Sequence, residues 1–141
     1  MIEKQEFYHG AALYRLIEDV RTVSLRADGI GYVVNEAVFT LIKYATKTSS
    51  PWRFTVSADE ARTLSRRSKA GQMVFIALVC GGDGICATTW EIASEVLGAT
   101  PGWLSCRRRF HEQYALAGTE GEVQGKVPDK AWPSILFGAD H

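Results

Sequence analysis

This sequence is poor in several things that would mark an activity. It has no surplus charge of either sign: 16 lysines and arginines are matched by 16 aspartates and glutamates. Net charge therefore argues neither for nor against a nucleic-acid partner, and only local clusters can. Cysteine is scarce, at Cys80, Cys86 and Cys106, and so is histidine, at His9, His111 and His141. Neither shows the close pairing of a zinc site. An odd number of thiols without a secretory signal suggests reduced cysteine in a cytoplasm, with the thiols serving as small core residues. The opening residues, Met1-Ile2-Glu3-Lys4-Gln5-Glu6, are too polar for a signal peptide or presequence. No apolar run is long enough to span a membrane, so no membrane partner is expected. No nucleophile elbow and no serine or cysteine triad is visible. Gly81-Gly82-Asp83-Gly84 is glycine-rich but joins two strands and opens no helix, so it is not a phosphate cradle.

What is present is an ordinary globular composition, 46% hydrophobic and 23% charged over 141 residues. That length supports one real core. No repeat, linker or low-complexity stretch interrupts it, so residues 1–141 read as one domain.

Apolar residues at helical spacing, from Tyr8 through Ala12, Leu13, Leu16 and Ile17 to Val20, predict a helix over residues 5–20. Alternation predicts strands over residues 23–27, 30–34 and 38–44, with Asp28-Gly29 and Asn35-Glu36 as the reversals. A loop follows, then a short extended piece over 52–56. Ser57-Ala58-Asp59-Glu60 fits a capping box, which starts a helix ending at Gly71. Met73 to Cys80 is uniformly apolar, as suits a strand covered on both faces. A returning strand covers 85–88. A second capping box, beginning at Thr88, opens a helix closed by Gly98. Residues 103–116 read as one long strand, Gly118 to Gly121 as a turn, and the remainder as irregular.

The order helix-strand-strand-strand-helix-strand, with Lys43 near the end of the third strand, resembles the core of the PD-(D/E)XK nuclease superfamily. That superfamily includes the Holliday-junction resolvases and many restriction endonucleases. The resemblance covers about residues 7–80 and implies an α/β (α+β) restriction-endonuclease-like fold: an αβββαβ core, a mixed central sheet, and a C-terminal strand extension over about 81–141. In that family an acid on the second strand and an acid two residues before the lysine hold magnesium, for which hard oxygen ligands are suited. The metal lowers the pKa of bound water and neutralises charge on phosphate. The lysine shares a strand face with the second acid, because side chains alternate with period two.

In this sequence Leu41 stands where the second acid belongs, and Gly31 and Tyr32 stand near the place of the first. The resemblance therefore implies catalytic positions at Lys43 with relocated acids, Asp28 and Glu36, as candidate Mg2+ ligands; Glu6 or Glu18 could add another. The competing readings are turn carboxylates in water and a lysine snorkelling at the end of an edge strand.

Basic residues cluster locally. Arg62, Arg66 and Lys69 share a helix face, with Arg67 beside them. Arg107, Arg108 and Arg109 are consecutive, and alternation puts Arg107, Arg109 and His111 on one side. Arg53 lies between Trp52 and Phe54. Cations with neighbouring aromatics suit a sugar-phosphate chain with stackable bases. Lys47, Arg53, Trp52, Arg107 and Arg109 are thus the candidate nucleic-acid contacts. The expected function is a nuclease-like domain, catalytically degenerate, that binds DNA, RNA or a nucleoprotein partner. The alternatives are a metal-dependent nuclease with relocated acids, or a small interaction or immunity protein with a protein partner or a homodimer.

Overall fold

Two strands that the sequence marks as apolar, β3 (Val38–Ala45) and β5 (Met73–Cys80), lie side by side and parallel at the centre of the molecule. The computed structural model describes residues 4–109 and 112–138. Strands β1 (Leu25–Asp28) and β2 (Gly31–Val34) extend the sheet beyond β3, and β6 (Gly84–Thr89) pairs with β5. The sheet order is β1-β2-β3-β5-β6. All pairs except β3–β5 are antiparallel, so the sheet is mixed as expected. Parallel neighbours need a crossover. Here it comprises β4 (Trp52–Val56) and α2 (Ala58–Lys69).

Alternation along β3 and β5 separates two core faces. Phe39, Leu41, Ile76 and Leu78 pack with Leu64 of α2. Ile42, Phe75, Ala77 and Val79 pack with Ala12 and Leu16 of α1 (Lys4–Glu18). Seven of the eight β5 residues are buried, which is why that strand carries no polar side chain. Asn35 and Glu36 close the β2–β3 hairpin, both in the left-handed region at φ 55° and 53°. That backbone twist matches the flanking strands. Helix α2 carries the full capping box, with Ser57 accepting from Glu60 N and Glu60 accepting from Ser57 N.

The elements thus follow the expected αβββαβ order, with β4 inserted before α2. Three expectations need correction. The long strand over 103–116 is a hairpin of two strands, β7 (Gly102–Arg107) and β8 (Ala115–Gly118), paired antiparallel. No glycine or proline between Arg107 and Ala115 announces the break, and Arg108, just beyond β7, is paired with Asp83 and Asp129. With β4 and β9 (Gly121–Glu122) these strands form a second sheet, β4-β7-β8-β9. Leu104, Phe54 and Leu116 of that sheet join the core face under α2. The predicted first-helix stripe ran too far, since Ile17 is 64% and Val20 95% exposed. Finally, α3 (Trp90–Leu97) is capped by Thr89 alone, whose hydroxyl accepts from Ile92 N, because Thr88 is buried in β6. Beyond β9, Tyr114 bridges Val127, and a single 3-10 turn, Ser134–Phe137, follows.

Candidate nucleic-acid interface

Lys43 points from β3 to the same side as Phe39 and Leu41, as period two requires. β3 is an interior strand, so the edge-strand reading of Lys43 does not hold. Leu41, at the place of the family's second acid, is 3% exposed and part of the core. The carboxylate that meets Lys43 comes from α2. Lys43 Nζ donates to both Glu60 oxygens, at 3.0 and 2.8 Å. Burial pushes the Glu60 carboxyl up, but Lys43 and the Ser57 N–H together outweigh it and hold the group below its ordinary range. Reading the sequence finds Glu60 as a capping residue and a possible partner for basic groups, but not as the partner of Lys43. The capping box fixes where α2 begins, but not which strand its first turn faces.

Asp28 and Glu36 come together with each other and not with Lys43. Arg26 Nε donates to both Glu36 oxygens at 3.1 and 2.9 Å, and its Nη1 lies 3.5 Å from Asp28. Arg67 Nη2 reaches Asp28 at 2.9 Å, and its guanidinium lies 4.0 Å above the Phe39 ring. Arg67 is seven residues beyond Glu60 on α2, a separation of about 10 Å. The guanidinium groups of Arg67 and Arg26 hold the carboxyls of Asp28 and Glu36, respectively, below their ordinary range. Glu6 is exposed, and Glu18 is engaged with the Tyr14 hydroxyl. Among the described residues no group of three histidines, cysteines, aspartates or glutamates is placed to hold a metal ion. This donor set does not fit the magnesium centre that the resemblance implies, because one ligand position is an apolar core residue and the nearby acids are spent on arginine and lysine.

The candidate cations converge elsewhere, at the C-terminal ends of β3 and β5. The loop over 46–51 is pinned there. Trp52 Nε1 donates to Lys47 O at 2.8 Å, Gly81 N to Ala45 O at 2.8 Å, and Arg108 N to Ser50 Oγ at 3.0 Å. Gly81, at φ 53°, has no room for a side chain, since a Cβ would sit 2.4 Å from Lys47 O. Arg108 is the structural member of its triplet. It donates to Asp83 at 2.9 Å, to Asp129 at 2.9 Å and to Glu112 O at 2.7 Å. The Tyr114 hydroxyl donates to the same Asp83 oxygen at 2.6 Å.

Arg107 and Arg109 are exposed on either side of Arg108. Among the described residues Arg107 has only Glu122, at 4.0 Å. With Arg108, Lys126, Glu112 and Glu122 they line a cavity of about 610 Å3 beside the loop. An adjoining cavity of about 580 Å3 carries Lys47 and Arg53, and the two share Pro51. Trp52 is not available for stacking: it is 2% exposed and lies in the core. Trp103 is the ring at this surface, with the Arg53 guanidinium 4.3 Å above it. His111 lies outside the described residues.

The class this architecture defines is a mixed α+β domain with one mixed and one antiparallel sheet. A solved structure, the Holliday junction resolvase Hjc of Archaeoglobus fulgidus, is similar over 67% of this chain and 80% of that chain, at 16% identity and a TM-score of 0.41. At that distance the likeness says nothing of activity, substrate or partner. No protein-family model and no curated protein matches the chain. No helix among the described residues is long and apolar enough to cross a membrane.

Proposed function

We propose that this chain is a nuclease-like domain that binds the sugar-phosphate backbone of DNA or RNA and does not hydrolyse it. One observation carries the reading. In a chain of zero net charge, Lys47, Arg53, Arg107, Arg109 and Lys126 gather around one pinned loop. Phosphate contacts supply most of the affinity of such surfaces. Lys43 in this reading is a strut between β3 and α2, and Asp28 and Glu36 hold the hairpin through arginine.

Fluorescence anisotropy with labelled single strands, duplexes and four-way junctions, in DNA and RNA, tests the reading. Binding is expected to weaken steeply with salt. Arg107→Ala with Arg109→Ala is expected to reduce the double-logarithmic salt slope by about two units. Plasmid incubated with magnesium or manganese is expected to stay uncut. Metal-dependent cutting that disappears in Asp28→Ala or Glu36→Ala overturns the non-hydrolytic part in favour of a nuclease with relocated acids. Absence of binding at low salt overturns the whole reading and turns attention to a protein partner, for which the exposed Phe7 and Tyr14 of α1 are the first residues to probe.

A further inference from the structure

Behind the loop lies a third cavity, of about 340 Å3, lined by Thr48, Ser49, Ser50, Asp83, Arg108 and Arg109, with Trp52 as part of its wall. It shares Ser50, Arg108 and Arg109 with the larger basic cavity, so the two form one continuous surface. Three consecutive hydroxyl residues and two arginines line this pocket, which makes its wall rich in hydrogen-bond donors. Its one carboxylate, Asp83, is already committed to Arg108 and the Tyr114 hydroxyl. Arg108 in turn is spent on Asp83, Asp129 and the Glu112 carbonyl. The groups left over are the hydroxyls of Thr48 and Ser49 and the Arg109 guanidinium, none of which has a hydrogen-bonding or ionic partner among the described residues. The Ser50 hydroxyl accepts from Arg108 N and keeps its own proton to donate.

We propose that this cavity is a subsite for a terminal phosphate monoester, taking the phosphorylated end of a nucleic-acid strand whose backbone runs over Arg107 and Lys126. The inference rests on the nucleic-acid reading above and sharpens it. A phosphodiester offers two free oxygens, whereas a monoester offers three and carries more charge. A pocket lined by three hydroxyl residues and Arg109 offers donors enough for the monoester's three oxygens. Charge-assisted hydrogen bonds from guanidinium and hydroxyl to phosphate are the strong kind. The loop is held from three sides before any ligand arrives, so little ordering accompanies binding.

The test uses one oligonucleotide, labelled internally, with a 5′-phosphate, a 3′-phosphate or hydroxyls at both ends. One phosphorylated end is expected to bind on the order of tenfold tighter than the hydroxyl form. That ratio is expected to fall to about one in the Thr48→Val, Ser49→Ala double variant. Both side chains are on an exposed loop, and an unchanged melting temperature verifies that the fold is intact. Equal affinity for all three ends in the unaltered protein overturns the subsite while leaving strand binding in place. Should no strand bind, a titration with a nucleoside 5′-monophosphate and with inorganic phosphate, followed by amide NMR shifts, decides instead. Shifts confined to residues 48–50 and 109 support the subsite and discard the strand reading; their absence overturns both.

Discussion

Glu60 serves two structures at once. Its carboxylate closes the capping box on Ser57 N and receives both hydrogen bonds from Lys43. The Lys43 and Glu60 side chains are 19% and 23% exposed, so the pair is screened less than a surface pair. Glu60→Ala is expected to cost about 2 kcal/mol, roughly half from the cap and the rest from leaving Lys43 unpaired. Glu60→Gln keeps an acceptor for Ser57 and should cost less. Denaturant unfolding of Lys43→Met, Glu60→Gln and the double variant gives the coupling between the two residues directly. A coupling near zero would remove the strut and free Lys43 for another role. The acids read from the sequence fall one arginine away from any such pairing. Asp28 and Glu36 were legible as turn carboxylates, but the pairings of Asp28 with Arg67 and of Glu36 with Arg26, across ten residues or more of sequence, were not.

At the scale of the element, β5 decides the architecture. Its parallel pairing with β3 places Ile76 opposite Leu41 with no exposure at all. Ile76→Asp is expected to abolish cooperative folding, because a buried unpaired charge costs several kcal/mol. A soluble variant with a normal melting curve would refute the burial of this strand. Most elements were readable for a common reason: each carries its own signal within a few residues. The capping box at Ser57, the apolar run Met73–Cys80 and the reversal at Asn35-Glu36 are all local. The second sheet was not readable, because β4 pairs with β7 across some fifty residues, Trp52 with Cys106. That pairing also explains why Trp52 is in the core and not on the surface. Its neighbour Arg53 points the other way, as alternation demands, and keeps its place among the surface cations. In the candidate interface the arginine triplet was legible as a cluster. Its division of labour was not, because Arg108 finds Asp83 and Asp129 only once the chain has folded.

The whole molecule is laced by ion pairs and buried titratable groups whose signs set a stability window in pH. Asp28, Glu36 and Glu60 are all held below their ordinary values, and Asp19 is brought to about 2 by hydrogen bonds from Arg21. Each such carboxylate takes up its proton in the unfolded chain first as pH falls. Its stabilisation is complete above the unfolded value, near 4, and is lost as pH drops through the folded value. Burial lowers His9 below 6.5, so below that pH the unfolded chain binds a proton that the folded chain resists. Histidine therefore begins the acid decline and the carboxylates deepen it. On the alkaline side the signs reverse. Hydrogen bonds that the Cys106 thiol donates to its buried neighbours Cys80 and Cys86, with burial, raise Cys106, and burial with the hydrogen bond to Asp83 raises Tyr114. Their unfolded forms ionise first, so stability falls as pH rises past about 9. Melting temperature measured from pH 3 to 11 is expected to plateau between about 7 and 9 and to fall on both sides. Removing His9 with His9→Gln should move the start of the acid decline from about 6.5 towards 4.5, leaving the alkaline limb in place. A melting temperature that does not fall between pH 4 and 3 would mean that the arginine–carboxylate pairs across the β1–β2–α2 face do not hold the molecule together.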